Sequence, residues 1–208
     1  MVRFVSIFVT VLVAVATLDA QGTAGWKVRP DRSTSAADPD GAGEIQFMAM
    51  GAGFHAITPQ AAVFWKPGSN ASGTYTLRGR FTLVKPSDHT NYYGLVFGGS
   101  DLEGPQQTYL YFLVAQDGSF LIKRRNGSAT EDVKTREASP AVRRPNPNGQ
   151  STNDLEIRVR PDLIAYSVNG NTVHTTPRTG LTAKTDGTYG FRINHRLEVH
   201  VENFGVSQ

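Results

Sequence analysis

The sequence predicts an all-β protein made of two stacked antiparallel sheets. Short strand-like runs recur along the chain, separated by Gly, Pro, Asn and Asp, and 21 glycines and 11 prolines occur among the 208 residues. Runs of this length with such separators are typical of strands joined by turns. Helical periodicity is nearly absent beyond residue 20. The number and spacing of the runs therefore favour a β-sandwich.

The first predicted element is a secretory signal peptide. Arg3 supplies its positive charge, and the run Phe4–Leu18 is apolar apart from three Ser or Thr residues. The run ends at Asp19 and is short for a membrane span. We expect a signal peptide of residues 1–20, cleaved after Ala20. Cleavage after Ala24 and an uncleaved N-terminal anchor are the alternatives.

Residues 21–208 are predicted to form a single domain, because this length suffices for one hydrophobic core and no repeat is visible. No later stretch is apolar enough to span a bilayer, so no membrane span is expected after signal cleavage. The chain has no cysteine, which excludes a thiol nucleophile and thiolate metal ligands. Export without disulfides favours a secreted or periplasmic bacterial protein.

The chain is mildly basic, with a formal net charge of +3 and a pI of about 9.3. The basic residues are scattered, and the small clusters at 123–125 and 143–144 form no basic helix or long tract. Nucleic acid is therefore not an expected partner. Two interpretations of the charge stay open: attraction to acidic glycans or an anionic cell surface, and ordinary solubility.

Twelve strands are expected along the domain, and one turn between them is especially clear. The pair Asn169-Gly170 between two of the runs is a strong signal for a tight hairpin turn. The strands are expected near Glu44–Ala49, Phe54–Ile57, Ala62–Trp65, Tyr75–Val84, Tyr93–Phe97, Thr108–Ala115, Ser119–Arg125, Leu155–Arg160, Leu163–Val168, Thr172–Thr175, Tyr189–Ile193 and Leu197–Val201.

The hairpin around Asp117-Gly118 allows two registers. A two-residue turn would pair Phe112 with Lys123, whereas a three-residue loop with a left-handed glycine shifts the pairing by one residue. Because a buried face sets register, we favour the three-residue loop. It collects the apolar side chains on one face: Leu110, Phe112, Val114, Phe120 and Ile122. The opposite face then carries Tyr109, Tyr111, Leu113, Leu121, Lys123 and Arg125.

Two segments, Arg32–Gly43 and Arg136–Asn153, are expected to be loops. The second is long for a compact domain, so it is either a mobile insertion or a lid over a site. Near the first, Asp38, Asp40 and Glu44 suggest calcium only loosely, because the EF-hand spacing fails. We therefore predict a mobile acidic loop and no metal site, with structural calcium as a minor alternative.

The C-terminal half carries a recognisable order of short motifs. They are Tyr109–Gly118, Phe120–Gly127, Asn153–Arg160, Tyr166–Gly170, Gly187–Phe191 and Leu197–Val206. This order resembles the concanavalin A-like jelly-roll sandwiches, and within them the laminin-G-like and exo-inulinase-type accessory modules and the domain of unknown function 1080 group. The resemblance covers roughly residues 73–206. It implies a jelly-roll sandwich, and it implies much less about function.

Some members of the last group hydrolyse 3-keto-glycosides, which gives one alternative function. The resemblance matches Gly190, His195 and Asn203 of this chain to that group's C-terminal motif. The group's glutamine, and its arginine before the asparagine, are replaced here, and its Asn-Ser-Gly and Gly-Tyr-Glu-x-Gln strands are missing. Hydrolysis therefore stays an alternative to the expected function.

Paired catalytic carboxylates have no sequence support. The motif Glu-x-Asp-x-x-Glu, frequent in sandwich glycanases, is absent. Asp154 and Glu156 share a strand face, but they alternate with apolar residues as on an ordinary solvent face. None of the five histidines shows a spacing such as His-Glu-x-x-His. His195 lies in a predicted turn, where a local hydrogen bond explains it better than catalysis.

Aromatic residues beside cations give the preferred functional prediction, a carbohydrate-binding module without chemistry of its own. Sugars present apolar C–H faces that stack on aromatic rings, and hydroxyls that bind polar groups. An envelope protein-interaction or structural module is a third alternative. Trp26 and Trp65 either join the site or belong to the core. The predicted polysaccharide-binding residues are Tyr109, Tyr111, Lys123 and Arg125, with Arg192 and His195 near one rim.

Overall fold

The computed structural model describes residues 22–208, so the predicted signal peptide, residues 1–20, lies outside the described residues. Within the described part the chain forms fourteen β-strands and a single 3-10 turn at Gly180–Thr182. No helix there is long and apolar enough to cross a membrane. The all-β prediction is confirmed.

Two seven-stranded sheets make up the sandwich, and every neighbouring pair of strands is antiparallel. Sheet A contains, in spatial order, β1 (Lys27–Asp31), β4 (Ala61–Ala71), β13 (Gly187–Ile193), β6 (Tyr92–Ser100), β7 (Thr108–Ala115), β8 (Ser119–Asn126) and β9 (Ala129–Ala138). Sheet B contains β12 (Asn171–Pro177), β11 (Leu163–Val168), β10 (Ser151–Val159), β5 (Tyr75–Lys85), β14 (Leu197–Ser207), β3 (Gly53–Thr58) and β2 (Gln46–Met50).

The main core lies between the two sheets, where alternate residues of each strand point inward. On β5, Leu77, Phe81 and Leu83 are fully buried, whereas the residues that alternate with the buried ones, Arg78, Arg80 and Thr82, are not. The ring of Phe191 on β13 stacks on that of Phe64 on β4, with centroids 5.0 Å apart. Burying one such side chain contributes about 1.5 to 3 kcal/mol, so the alternation fixes which face of each strand turns inward.

The register predicted for the hairpin between β7 and β8 is confirmed. Phe112 pairs with Ile122 and Val114 with Phe120, as a three-residue loop requires. Gly118 closes the loop with a φ of 83°, which lies in the left-handed region that favours glycine. All five apolar residues expected on the inner face belong to the main core.

All twelve expected strands are present, but β1 and β9 were missed. Both lie at the edges of sheet A, where one face of the strand meets solvent and the sequence is largely polar. The expected loop 136–153 is therefore too long, because its ends belong to β9 and β10. The remaining connection is anchored to the sandwich: Val142 is buried in the core, and Asn169 Nδ2 donates to the carbonyl of Ala141 at 2.8 Å.

Candidate functional site

A second apolar cluster covers the outer face of sheet A, away from the main core. Alternation on β7 turns Tyr109, Tyr111 and Leu113 outward, opposite the inward-facing Phe112. Neighbouring strands and the loop between β6 and β7 complete the group, which we name the outer cluster: Val63, Trp65, Val96, Leu102, Tyr109, Tyr111, Leu113 and Leu121.

The loop between β6 and β7 covers this cluster with Leu102, and β1 holds the loop in place. Arg29 Nη1 donates to the carbonyls of Leu102 at 2.9 Å and Gly104 at 2.6 Å. As a result Tyr109 is 2% exposed and Tyr111 5% exposed. The two rings therefore form a buried layer beneath the surface of this face, which we name the aromatic floor. The groups that meet solvent there are polar.

Three charged side chains sit on this floor as one network. Asp31 Oδ2 lies 2.7 Å from Arg192 Nη1, and Asp31 Oδ1 lies 3.2 Å from Arg125 Nη2. Arg192 Nη1 also donates to the Tyr109 hydroxyl at 3.2 Å, and its guanidinium carbon lies 5.7 Å from the ring centroid of Tyr111, within cation–π range. The side chains of Arg192, Arg125 and Asp31 are 11%, 15% and 20% exposed.

Burial by itself would lower the pKa of Arg192, but the neighbouring Tyr109 and Asp31 raise it above its usual value. Burial also raises the pKa of the Tyr111 hydroxyl to about 12. Arg192 therefore stays charged and Tyr111 stays neutral across the physiological range. The face thus presents the charged guanidinium group of Arg192 beside the uncharged ring of Tyr111.

Within residues 22–208, each of the two arginines has a terminal nitrogen that donates no hydrogen bond. Among the described residues, no hydrogen bond uses Nη2 of Arg192 or Nη1 of Arg125. Both side chains keep a small part of their surface exposed to solvent. These donors are held in fixed positions and are open to a ligand oxygen.

The structure brings five of the six predicted site residues onto this face. Lys123 lies beside Tyr111 on the neighbouring strand and pairs with Asp132 at 3.0 Å. Trp65 belongs to the outer cluster, which agrees with the alternative that it lies beside the predicted site residues. Trp26 does not: its ring packs on Phe54 at 4.6 Å, at the edge of the main core.

His195 lies elsewhere, at one end of the sandwich in the turn between β13 and β14. It is buried beside residues from two other segments, and we name the group the His–Asp cluster: Asp38, Asp40, Asp88, His89 and His195. Sequence reasoning missed Asp38 and His89 as partners of His195. No local spacing could have found them, because the three residues are far apart in the chain and only the fold brings them together.

The carboxylates Asp154 and Glu156 lie on the outer face of sheet B and form ion pairs there. Arg80 Nε contacts Asp154 at 2.7 Å, and Arg78 Nε contacts Glu156 at 2.5 Å. The same strands line a shallow cavity of about 330 Å³. The side chains of Arg80 and Asp154 are 45% and 47% exposed, as expected for an ordinary solvent face.

No protein-family profile and no curated protein sequence matches the chain. Solved structures do match its fold. The carbohydrate-binding module CBM66 from Bacillus subtilis aligns with a TM-score of 0.60 at 11% identity, over 88% of this chain and 96% of that one. The carbohydrate recognition domain of Emp46p aligns with a TM-score of 0.58 at 11% identity, over 92% and 91%. An endo-β-1,3-glucanase from Pyrococcus furiosus aligns with a TM-score of 0.54 at 11% identity, over 77% and 76%.

These neighbours and the strand order define the fold: a two-sheet antiparallel sandwich of the jelly-roll kind, which agrees with the fold that the motif order implied. The fold hosts binding modules and hydrolases alike, so it does not decide between them. Function has to be argued from the two sites of this chain.

Proposed function

We propose that this chain is an exported carbohydrate-binding module that does not cleave its ligand, and that the glycan binds the outer face of sheet A. One observation carries the proposal: two rigidly held arginines lie over an aromatic floor, and each has a donor that no described residue uses. Sugar hydroxyls, and the carboxylates of acidic sugars, accept such hydrogen bonds. The similarity in fold to CBM66 and to the carbohydrate recognition domain of Emp46p supports the proposal.

The network around Asp31 makes this face suitable for binding with little rearrangement. Asp31 fixes both guanidinium groups, so ordering them on binding costs little conformational entropy. Burial of the pair lowers the local dielectric and strengthens each new hydrogen bond to a ligand oxygen. The network has two guanidinium groups and one carboxylate, and this net positive charge favours a glycan that carries acidic groups.

Affinity electrophoresis against neutral and acidic polysaccharides tests the proposal. We expect retardation by at least one glycan, stronger for acidic members of the panel and weaker with added salt. Arg125→Gln should reduce the retardation. Arg80→Gln is the matched control, because Arg80 also pairs with an aspartate but lies on the opposite sheet. Retardation by none of the glycans, or equal losses in the two variants, would contradict the proposal.

A second candidate function, hydrolysis of 3-keto-glycosides, has one observation in its favour. His195, the histidine matched by the resemblance, lies in the His–Asp cluster, and a cavity of about 470 Å³ lined by Asp88 and Arg196 adjoins it. This function predicts loss of a 3-keto-glycoside on incubation, followed by chromatography, and no loss with His195→Gln. A substrate that stays intact with the unaltered protein would eliminate this candidate.

A further inference from the structure

Three ligand-type atoms of the His–Asp cluster form a nearly regular triangle. Asp38 Oδ1 lies 2.9 Å from His89 Nε2 and 3.1 Å from His195 Nε2, and the two Nε2 atoms are 3.1 Å apart. The residues come from the loop after β1, the loop before β6 and the turn after β13. Three separate segments thus converge on one point at the end of the sandwich.

A second layer of carboxylates turns both imidazoles toward this point. His89 Nδ1 lies 2.7 Å from Asp88 Oδ1, and His195 Nδ1 lies 3.3 Å from Asp40 Oδ1. A carboxylate beside Nδ1 accepts the imidazole N–H there, so a ring that binds a metal ion through Nε2 can keep its proton on Nδ1. In that tautomer both Nε2 atoms direct their lone pairs to the point that Asp38 Oδ1 shares. A carboxylate behind each imidazole is the usual outer shell of metal-binding histidines.

The hydrogen bonds of Asn91 give independent evidence for the lone pair on His89. The Ser87 hydroxyl donates to the backbone carbonyl of His89, so the Ser87 oxygen accepts from Asn91 Nδ2, at 3.2 Å. The same nitrogen lies 3.0 Å from His89 Nε2 and can only donate. Nε2 of His89 is therefore an acceptor, and a bound ion would replace the N–H of Asn91 as the partner of its lone pair.

Charge in the cluster also favours a cation. The carboxylates of Asp38, Asp40 and Asp88 give three negative charges, and Arg196, whose Nη1 lies 3.2 Å from Asp88, gives one positive charge. With both imidazoles neutral, these groups carry a net charge of −2 (three negative, one positive). A divalent ion would neutralise this charge at the point where the three acceptors meet.

We propose that Asp38, His89 and His195 bind one divalent transition-metal ion, for which Zn²⁺ is the best match. Zinc lies about 2.0 to 2.2 Å from imidazole nitrogen and carboxylate oxygen. An ion at about these distances fits the observed triangle and lies roughly 1 Å out of its plane. Two nitrogen ligands favour such an ion over Ca²⁺ and Mg²⁺, which prefer oxygen.

Burial around the triangle is uneven and leaves one side open. The His195 side chain is 7% exposed, whereas that of Asp38 is 51% exposed. An ion held there would bind three protein ligands and keep its remaining positions for water or another ligand, a pattern that closed structural zinc sites lack. The adjoining cavity lined by Asp88 and Arg196 offers space for such a ligand.

Isothermal titration of tag-free, chelator-treated protein with Zn²⁺, Mn²⁺ and Ni²⁺ tests the site. We expect one equivalent of Zn²⁺ to bind, and Ca²⁺ to give no comparable heat. Asp38→Asn and His195→Gln should each weaken the binding at least about tenfold, and Asp88→Asn, in the outer shell, about 10- to 100-fold. His174→Gln is the matched control, because His174 lies on β12, outside the cluster.

Asp38 is exposed, so Asp38→Asn should fold even if a change at the buried His195 does not; circular dichroism checks this. Zn²⁺ should also raise the melting temperature of the unaltered protein, and a chelator should reverse the shift. Failure of all three transition-metal ions to bind would overturn the proposal. Binding that Asp38→Asn and His174→Gln leave equally intact would overturn it as well, as would tighter binding of Ca²⁺ than of Zn²⁺.

Discussion

The two outer faces of the sandwich carry charged residues in opposite ways. On sheet A, Arg192 and Asp31 lie on an aromatic floor beneath a loop and are mostly buried. On sheet B, Arg80 and Asp154 pair at a similar distance but are almost half exposed. A buried, fixed pair is preorganised and depends on its partner, whereas an exposed pair is mobile and screened. The binding proposal therefore concerns sheet A, although sheet B has the shallow cavity.

The largest expected difference between the faces is in stability. Arg192→Met should lower the free energy of unfolding by about 3 to 5 kcal/mol, because it leaves the buried Asp31 carboxylate with one partner fewer. Arg80→Met should lower it by less than about 1 kcal/mol. Urea unfolding of both variants measures the comparison. Equal losses would show that the network on sheet A is no more buried than an ordinary surface pair.

The burial of the outer face of sheet A should also appear as a loss of stability at alkaline pH, through the hydroxyl of Tyr111. Burial raises the pKa of this hydroxyl to about 12, whereas an unfolded tyrosine ionises near pH 10. Between about pH 10 and 12 the unfolded state therefore binds fewer protons, and the free energy of unfolding falls as pH rises. Over the full interval Tyr111 contributes roughly 2 to 3 kcal/mol to this loss.

Urea unfolding at pH 8 and pH 11 checks the contribution of Tyr111. Tyr111→Phe should lose less stability between the two pH values than the unaltered protein, although the other buried tyrosines still titrate in both. At pH 8 the two proteins should differ by less than about 1 kcal/mol. An identical pH dependence would mean that the Tyr111 hydroxyl is open to solvent.

A substitution at Leu102 tests whether the loop between β6 and β7 covers the outer cluster. Leu102→Ala should destabilise by about 2 kcal/mol, at the lower end for a buried leucine, because the loop can adjust over the gap. Met48→Ala, at the exposed edge of sheet B, should change stability by less than about 0.5 kcal/mol. Thermal unfolding followed by circular dichroism distinguishes the two. A negligible effect of Leu102→Ala would show that the loop does not cover the tyrosines.

The hairpin of β7 and β8 was predictable because its two registers differ in which side chains are buried. Only one of them collects Phe112 and Ile122 on the inner face, and burial selects it. The same argument placed Tyr109 and Tyr111 outward. It could not reveal how far they are covered, because the cover comes from Leu102 on a loop with no sequence periodicity.

The edge strands and the His–Asp cluster could not be predicted, because no pattern of buried residues marks them in the sequence. β1 and β9 have no alternating apolar pattern, since a polar strand can still pair at the rim of a sheet. The convergence of Asp38, His89 and His195 depends on three turns meeting at one end of the sandwich. A strand pattern fixes neighbours within a sheet, but it does not fix which loops meet beyond its ends.

The chain has two tryptophans, and they lie in two different regions where a glycan could bind. Their fluorescence therefore gives the most direct test of the binding site. Trp65 belongs to the outer cluster of sheet A, whereas Trp26 lines a cavity of about 240 Å³ with Tyr189 and Phe204. Trp26→Phe and Trp65→Phe each leave one fluorescent reporter. Titration with a polysaccharide that retards the protein should change the emission of Trp26→Phe, in which only Trp65 remains. The emission of Trp65→Phe, in which only Trp26 remains, should stay unchanged. A response only in Trp65→Phe would place the glycan at the other cavity and contradict the assignment to sheet A.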